Sequence, residues 1–448
     1  MKKIIAISLV AILAVGSVFA AFSGSAEVGV GANFENGTYG FIDQSTNVEF
    51  NVDLATASAE AIAEGDVYAS VKASLKVFIL TGDGGTNPAD PTVKNMGFAV
   101  KTSIDEAKIA GENWYVSILG VPSVNDFAVS SIDTWKEPSE DKYGVKVAKA
   151  TKKASYAVGY TKAPGVEIGI YDYVVGVGFK ADADKEPEFK AAAQYALSLY
   201  AKTPEYNFDG VVAQVGASYS TAKAKPEFIG NKDVLDQNAF GASVKAGYVT
   251  DTISATVSSD LGYDIKAEKF GVDVAANVAY DFITVDGYYA NEVVNNKDGK
   301  FVKNLLSTKV VADLASFDVS VKLTATLKDL INKQDMGLKA EFNATEELAL
   351  SVNAGYVVKS KDVSTGVGAT YTTDNFTVSG EVGYAVNAET KNTSVLTVSA
   401  SVESSTLVPG ATLKLAYGAA DNDQNLLKDQ TPAAQNFGKV VASINVAF

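Results

Sequence analysis

DVSVKLTATLK, residues 318–328, alternates from end to end. Val319, Val321, Leu323, Ala325 and Leu327 share one side, and Asp318, Ser320, Lys322, Thr324, Thr326 and Lys328 share the other. Successive side chains of a strand point to opposite faces, so a period of two predicts a strand with one apolar and one polar face. The helical period of 3.6 would mix the two sets on every face. The pattern recurs in VEFNVDL (48–54), FGASVKAGY (240–248), GVDVAANVAY (271–280), TVSGEVGYAV (377–386), LTVSASVE (396–403) and ATLKLAYG (411–418). Helical spacing is nearly missing. TASAEAIAEGD (56–66) reads as a helical turn or a connection.

About 24 such runs fill the chain, from 25–34 to 437–448. They include 97–104, 143–149, 154–161, 252–258 and 283–290. The fold expected is all-β: a large antiparallel transmembrane β-barrel with an even strand number between 16 and 24. It forms a single domain over 21–448. Connections alternate between short and long. YDFI (280–283), LASFD (314–318) and TTDN (372–375) are tight; NEVVNNKDGKFVKN (291–304), KDLINKQD (328–335), NAETKN (387–392) and 419–436 are longer. Outer-membrane barrels have tight periplasmic turns and long outer loops. All ten prolines are placed in connections, as a closed hydrogen-bonded sheet requires. Tyr219, Tyr248, Tyr280, Tyr356, Tyr384, Tyr417, Phe34 and Phe448 end apolar stripes, which predicts interfacial girdles. The long connections near 81–96, 120–142 and 221–238 are candidate constrictions.

Lys2 and Lys3, the apolar run Ile4–Val15 and small residues at Val18 and Ala20 read as a secretory signal over 1–20. Cleavage is expected between Ala20 and Ala21. Beyond it no run of about 18 apolar residues would make a spanning helix. A soluble exported coat and a closed barrel both fit that. The chain has 448 residues and a formal charge of −15, which disfavours nucleic acid as a partner. Its basic residues are all Lys, and Cys and His both number 0. Disulfides, thiolate or imidazole metal sites and His-dependent triads are excluded, and no enzyme activity and no cofactor are expected.

The chain ends VVASINVAF (440–448), with Val440, Ala442, Ile444, Val446 and Phe448 on one stripe. This resembles the C-terminal signal of bacterial outer-membrane barrels, which implies recognition by the barrel-assembly machinery. AFSGSAEVGVGANFENGTYGF (21–41) and DLATASAEAIAEGDVYASVKASL (53–75) resemble the major outer sheath (major surface) proteins of oral treponemes. The resemblance covers about the first 80 residues. It implies an abundant surface protein of a spirochaete outer membrane with pore-forming and adhesive roles, and it assigns no single residue.

Other motifs fail. GVGANF (29–34) and VVGVGFKAD (174–182) lack a third Gly, so Gly29, Gly31, Gly176 and Gly178 are read as pore-facing positions where no side chain is wanted. DNDQNLLKDQTP (421–432) has Leu426 and Pro432 where a calcium loop needs Gly and Glu. By parity, the pore wall would carry Glu27, Glu49, Asp53, Lys72, Lys76, Lys101, Lys146, Lys245, Asp273, Asp286, Lys309, Asp318, Lys322, Lys339, Glu341, Glu381 and Lys414, with small polar residues between. That wall is nearly charge-balanced, which leaves the excess acid for the loops. The expected function is a water-filled, weakly cation-selective porin passing small hydrophilic solutes and ions by diffusion. The alternative is a surface adhesin whose barrel anchors loops that meet host surface or matrix proteins. Outer-membrane lipid is a partner in either case, and assembly into a homo-oligomer is compatible with both.

Overall fold

Alternating runs become strands because each buries one face and hydrogen-bonds both edges. The computed structural model describes residues 20–34, 38–41, 47–55, 67–80, 97–120, 125–139, 148–153, 165–182, 194–221, 239–265, 268–295, 300–389, 394–418 and 439–447. In chain order the strands are β1 Ala20–Asn33, β2 Thr38–Phe41, β3 Asn47–Ala55, β4 Tyr68–Leu80, β5 Gly97–Gly111, β6 Trp114–Leu119, β7 Asp133–Ser139 and β8 Ala148–Lys153. There follow β9 Gly165–Ile170, β10 Tyr173–Asp182, β11 Gln194–Lys202, β12 Tyr206–Phe208, β13 Val211–Thr221, β14 Ala239–Val249, β15 Ile253–Asp264, β16 Lys269–Tyr280 and β17 Ile283–Asn295. The last are β18 Lys300–Asp313, β19 Val321–Lys328, β20 Asp335–Asn343, β21 Leu348–Val357, β22 Asp362–Thr372, β23 Thr377–Asn387, β24 Ser394–Val408, β25 Ala411–Tyr417 and β26 Lys439–Ala447.

Every pairing is antiparallel. The ladder runs β1, β3, β4, β5, β6, β9, β10, β11, β13 and then strand by strand to β26. β26 pairs back onto β1, Ser25 opposite Ala447 through Asn33 opposite Lys439. Among the described residues the succession of pairings thus returns to its start with 26 − 4 = 22 strands. The four set aside are β2, beside the end of β1; β12, beside the start of β13; and the separate hairpin β7–β8.

Among the described residues the ladder holds two strands fewer than the 24 expected runs. Of the runs expected at 143–149 and 154–161, residues 148–153 pair with β7 outside the ring, and 154–161 lie outside the described residues. Pro138 is likewise a correction: it sits within β7, where a two-stranded ribbon leaves its missing N–H without consequence. Pro204 and Pro409 lie in connections as expected; the other seven prolines fall outside the described residues. NEVVNNKDGKFVKN is mostly ladder rather than loop, since Glu292–Asn295 pair with Lys300–Lys303. LASFD is tight because Leu314–Phe317 make a 3-10 turn whose carbonyls are met by the Asp318 N–H, with Asp318 at φ +57°. Asp318 therefore belongs to the turn and not to the wall.

The outward face is apolar. Val244, Val257, Val278, Val310, Leu338, Val352, Val367, Val382 and Leu415 are all exposed on it. Aromatic rings bound the stripe. Tyr219, Phe240, Tyr263 and Phe270 lie opposite one another in register across β13–β16, with ring centroids 4.9 Å apart for the first pair and 6.4 Å for the last. Tyr248, Tyr280, Phe342 and Tyr371 are exposed at the turn ends. On β16, Phe270 and Tyr280 are ten residues apart (280 − 270), about 34 Å along the strand. At a tilt of about 40° that is roughly 26 Å of height, the thickness of the apolar band of a membrane barrel. A large exposed apolar belt has no place in water, and this one fits hydrocarbon.

Candidate functional site: the inner wall and the segment against it

One segment identifies the inner face. Asn125–Ile132 touches strands as far apart as β11 and β18. The Asn125 Nδ2 donates to the carbonyls of Ala201 and Ala217, both at 2.9 Å. The amides of Phe127 and Ala128 donate to Asp260 Oδ2 at 2.7 and 2.6 Å. Lys309 Nζ reaches the Ser131 carbonyl at 3.4 Å and its hydroxyl at 3.3 Å. A short chain meets strands β11, β13, β15 and β18 together only from the concave side. Gly216 provides the seat for Asn125, since a Cβ there would collide with the Asn125 amide. Connection 120–142 thus holds an inward segment; 81–96 and, past Thr221 at the end of β13, 222–238 lie outside the described residues.

Ala128 and Ile132 of this segment are buried, as are Asp260, Asp264 and Asp273 of the wall. Tyr288, Ala290 and Leu305 form a buried apolar cluster. Asp260 also accepts from Ser243 Oγ, and Asp273 Oδ2 accepts from Tyr288 Oη at 2.8 Å. Burying carboxylates requires such donors. Asp126 is less well provided: its Oδ1 is buried without a hydrogen-bond partner. Burial, then the Asp260 charge, pushes the Asp126 carboxyl up to about 7.

Past Ser131 and Lys309 the wall opens into a cavity of about 760 Å³ along β19–β24. Thr324, Thr326, Asn353, Ser364 and Thr397 line it, with Lys328, Lys339, Asp335, Asp362 and Glu381. Gly337, Gly355 and Gly383 stand among them, keeping the wall flat.

The expected wall residues divide into several groups. Lys309 pairs with Asp286 at 2.9 Å, Lys339 with Glu341 at 2.6 Å, Lys414 with Glu403 at 3.2 Å and Lys72 with Glu106 at 3.5 Å. Glu381 faces the cavity, in register with Gly368 and Ser399, and Lys322 stands opposite Glu341. Two others are inward but away from the cavity: Asp273 is sealed under Tyr288, and Lys245 is bound to Glu205. Asp318 is in a turn. Glu27, Glu49, Asp53, Lys76 and Lys101 hold ladder positions, Glu49 opposite Lys76 and Asp53 opposite Lys72, but their side chains lie outside the described ones. Lys146 and Phe448 lie outside the described residues altogether. Ala20 and Ala21 begin β1, paired with Leu54 and Asp53; Val440, Ala442, Ile444 and Val446 lie in β26, paired to both β25 and β1.

The run expected at 252–258 leaves out Asp260 and Asp264 because Ser259 breaks the apolar stripe of β15. Ser259 Oγ instead satisfies the Asp273 carbonyl, and the strand continues. Sequence reasoning missed Glu106 because a bulge at Asp105 shifts parity: Lys76 stands opposite Lys101, yet Lys72 stands opposite Glu106. It missed a polar cluster on β5, β6, β9 and β11. Tyr115 and Tyr200 donate to the two oxygens of Glu167 at 2.7 and 2.6 Å, and Lys108 sits 4.3 Å from the Tyr115 ring centre. Gly176 does face inward, but its empty place is filled by the Tyr200 ring rather than by water.

No protein-family model matches the chain, and no curated protein matches it. Among solved structures it is similar to the translocation pore of the P pilus usher PapC, at 10% identity over 95% of this chain and 99% of that one, with a TM-score of 0.41. It is similar to the siderophore receptor PirA from Acinetobacter baumannii, at 10% identity over 96% and 81%, TM-score 0.43. It is also similar to a mutant Rhodopseudomonas blastica porin, at 10% identity over 96% and 100%, TM-score 0.33. Likeness this low carries no weight for function, and the fold rests on the strand pairings above.

Proposed function

We propose that the chain is an outer-membrane porin through which small hydrophilic solutes and ions diffuse. The observation that carries this reading is the pairing of an apolar outer belt with a polar, hydroxyl- and amide-lined inner cavity of about 760 Å³. A ring of 22 strands encloses far more space than its own side chains fill. Polar walls of mixed charge pass hydrated solutes without holding them. The net charge of −15 supports weak cation preference. An N-terminal signal cut after Ala20, delivery by the barrel-assembly machinery and membership of the treponemal major outer sheath proteins belong to this same reading. They rest on the sequence features at residues 2–20, 440–448 and 21–75.

The test is single-channel conductance of the folded chain in a planar bilayer under a salt gradient. Stable steps with a small cation-selective reversal potential are expected. Anion selectivity would overturn the charge assignment. Correct insertion with no steps would overturn the pore and leave the barrel as an anchor for adhesive loops.

A further inference from the structure

We propose that Asn125–Ile132 is a proton-operated latch: with Asp126 neutral it docks on the inner wall, and with Asp126 ionised it releases and bares the acidic wall beneath. Three anchors hold it. Asn125 sits on two strand carbonyls in the gap left by Gly216, and Ser131 is held by Lys309. Between them, Asp260 takes the consecutive amides of Phe127 and Ala128. That middle anchor places Asp126 against a patch of its own sign. Asp260 faces it from β15, and the charge of Asp126 is felt at Tyr288 of β17, which is bonded to Asp273 of β16. Asp264 is buried further along β15. On β18 the facing cation is Lys309, already paired with Asp286 of β17. Ser243 of β14 contributes only a hydroxyl.

The sign follows from linkage. Docking raises the Asp126 carboxyl from its ordinary value of 3.8 to about 7. Between those limits the docked form holds a proton that the released form has lost, so docking weakens by about tenfold per pH unit as pH rises. Below the window both forms are protonated and above it both are ionised, so docking is flat there. Release uncovers Asp260 to the lumen, so the latch couples a wider passage to stronger cation preference. That consequence rests on the pore reading; docking itself does not.

The chain has no cysteine of its own, so single introduced thiols report docking cleanly. Ala128, within the latch, is 0% exposed in the docked form, whereas Glu346 is exposed in a turn. The rate at which a water-soluble thiol reagent modifies Ala128→Cys, divided by its rate on Glu346→Cys, cancels the reagent's own pH dependence. This ratio is expected to climb between pH 4.5 and 7 and level off above. Adding Asp126→Asn should hold it low throughout. An equal ratio at pH 5 and 8, or a pH profile that survives Asp126→Asn, overturns the latch. In the bilayer, conductance and cation preference should rise together over the same window. If the thiol ratio shifts while conductance stays flat, the coupling to ion flow is overturned. If the ratio shifts and no conductance is seen at all, the pore reading fails and the latch stands.

Discussion

Glu167 and Gly176 show how tightly single residues are fitted on the inner wall. Two phenol hydroxyls end on one carboxylate. Replacing Glu167 with Gln removes the charge from both hydrogen bonds and should cost about 1–3 kcal/mol, read as a lower urea midpoint of the folded barrel. Gly176→Val forces a side chain into the space of the Tyr200 ring. Overpacking of this kind should cost about 1–3 kcal/mol and lower the temperature at which the barrel loses its compact gel mobility. Glu167 does not stand out from sequence. Gly176 is read there as a pore-facing position where no side chain is wanted, but that Tyr200 fills its gap depends on which strand lies beside it. Asp260 was hidden by one serine, since a polar residue on an apolar stripe looks like a strand's end when its hydrogen-bond partner is not known.

At the scale of the strand, the period of two gave most of the answer. The 22 ring strands each overlap a run marked by alternation, because apolar-out, polar-in is imposed at every turn of the pleat. What failed was parity across a bulge, as at Asp105, and strand identity where runs were short and Lys-rich, as in 143–161. Neither depends on local pattern: a bulge is fixed by the neighbour's register, and β8 is kept from the ring by its pairing with β7. Two adjacent positions test the register of β21. Val352 is exposed on the apolar belt, and Asn353 lines the cavity. Val352→Lys should destabilise the barrel in bilayers by about 2–4 kcal/mol. Asn353→Lys should leave stability within about 0.5 kcal/mol and instead shift the reversal potential toward anions. Equal effects on stability would mean that the face assignment is wrong.

For the whole molecule, the inward segment and the ring are separable. None of the 22 ring pairings uses Asn125–Ile132. Replacing 125–132 with an equal length of Gly and Ser should leave the heat-modifiable fold intact while raising single-channel conductance. Loss of the fold instead would mean that Ala128 and Ile132 are needed to hold the wall. The general position of this segment was legible, since 120–142 was too long for a turn. Its contacts with β11, β13, β15 and β18 were not, because they join residues up to 178 positions apart.

The pairing of Ser25 with Ala447 joins residues 447 − 25 = 422 positions apart. Contacts so distant in sequence are the slowest to form, because the loop they close costs the most entropy. Until β26 reaches β1, the assembling sheet has two raw edges, and each carries the hydrogen-bonding pattern that the other needs. Those edges fit a neighbouring copy equally well, so crowded, half-assembled chains are primed to join end to end into open ribbons. Sealing is therefore a race between one intramolecular junction and its intermolecular counterpart. Dilution should favour closed monomers in refolding, whereas high chain concentration should favour sheet-rich aggregates.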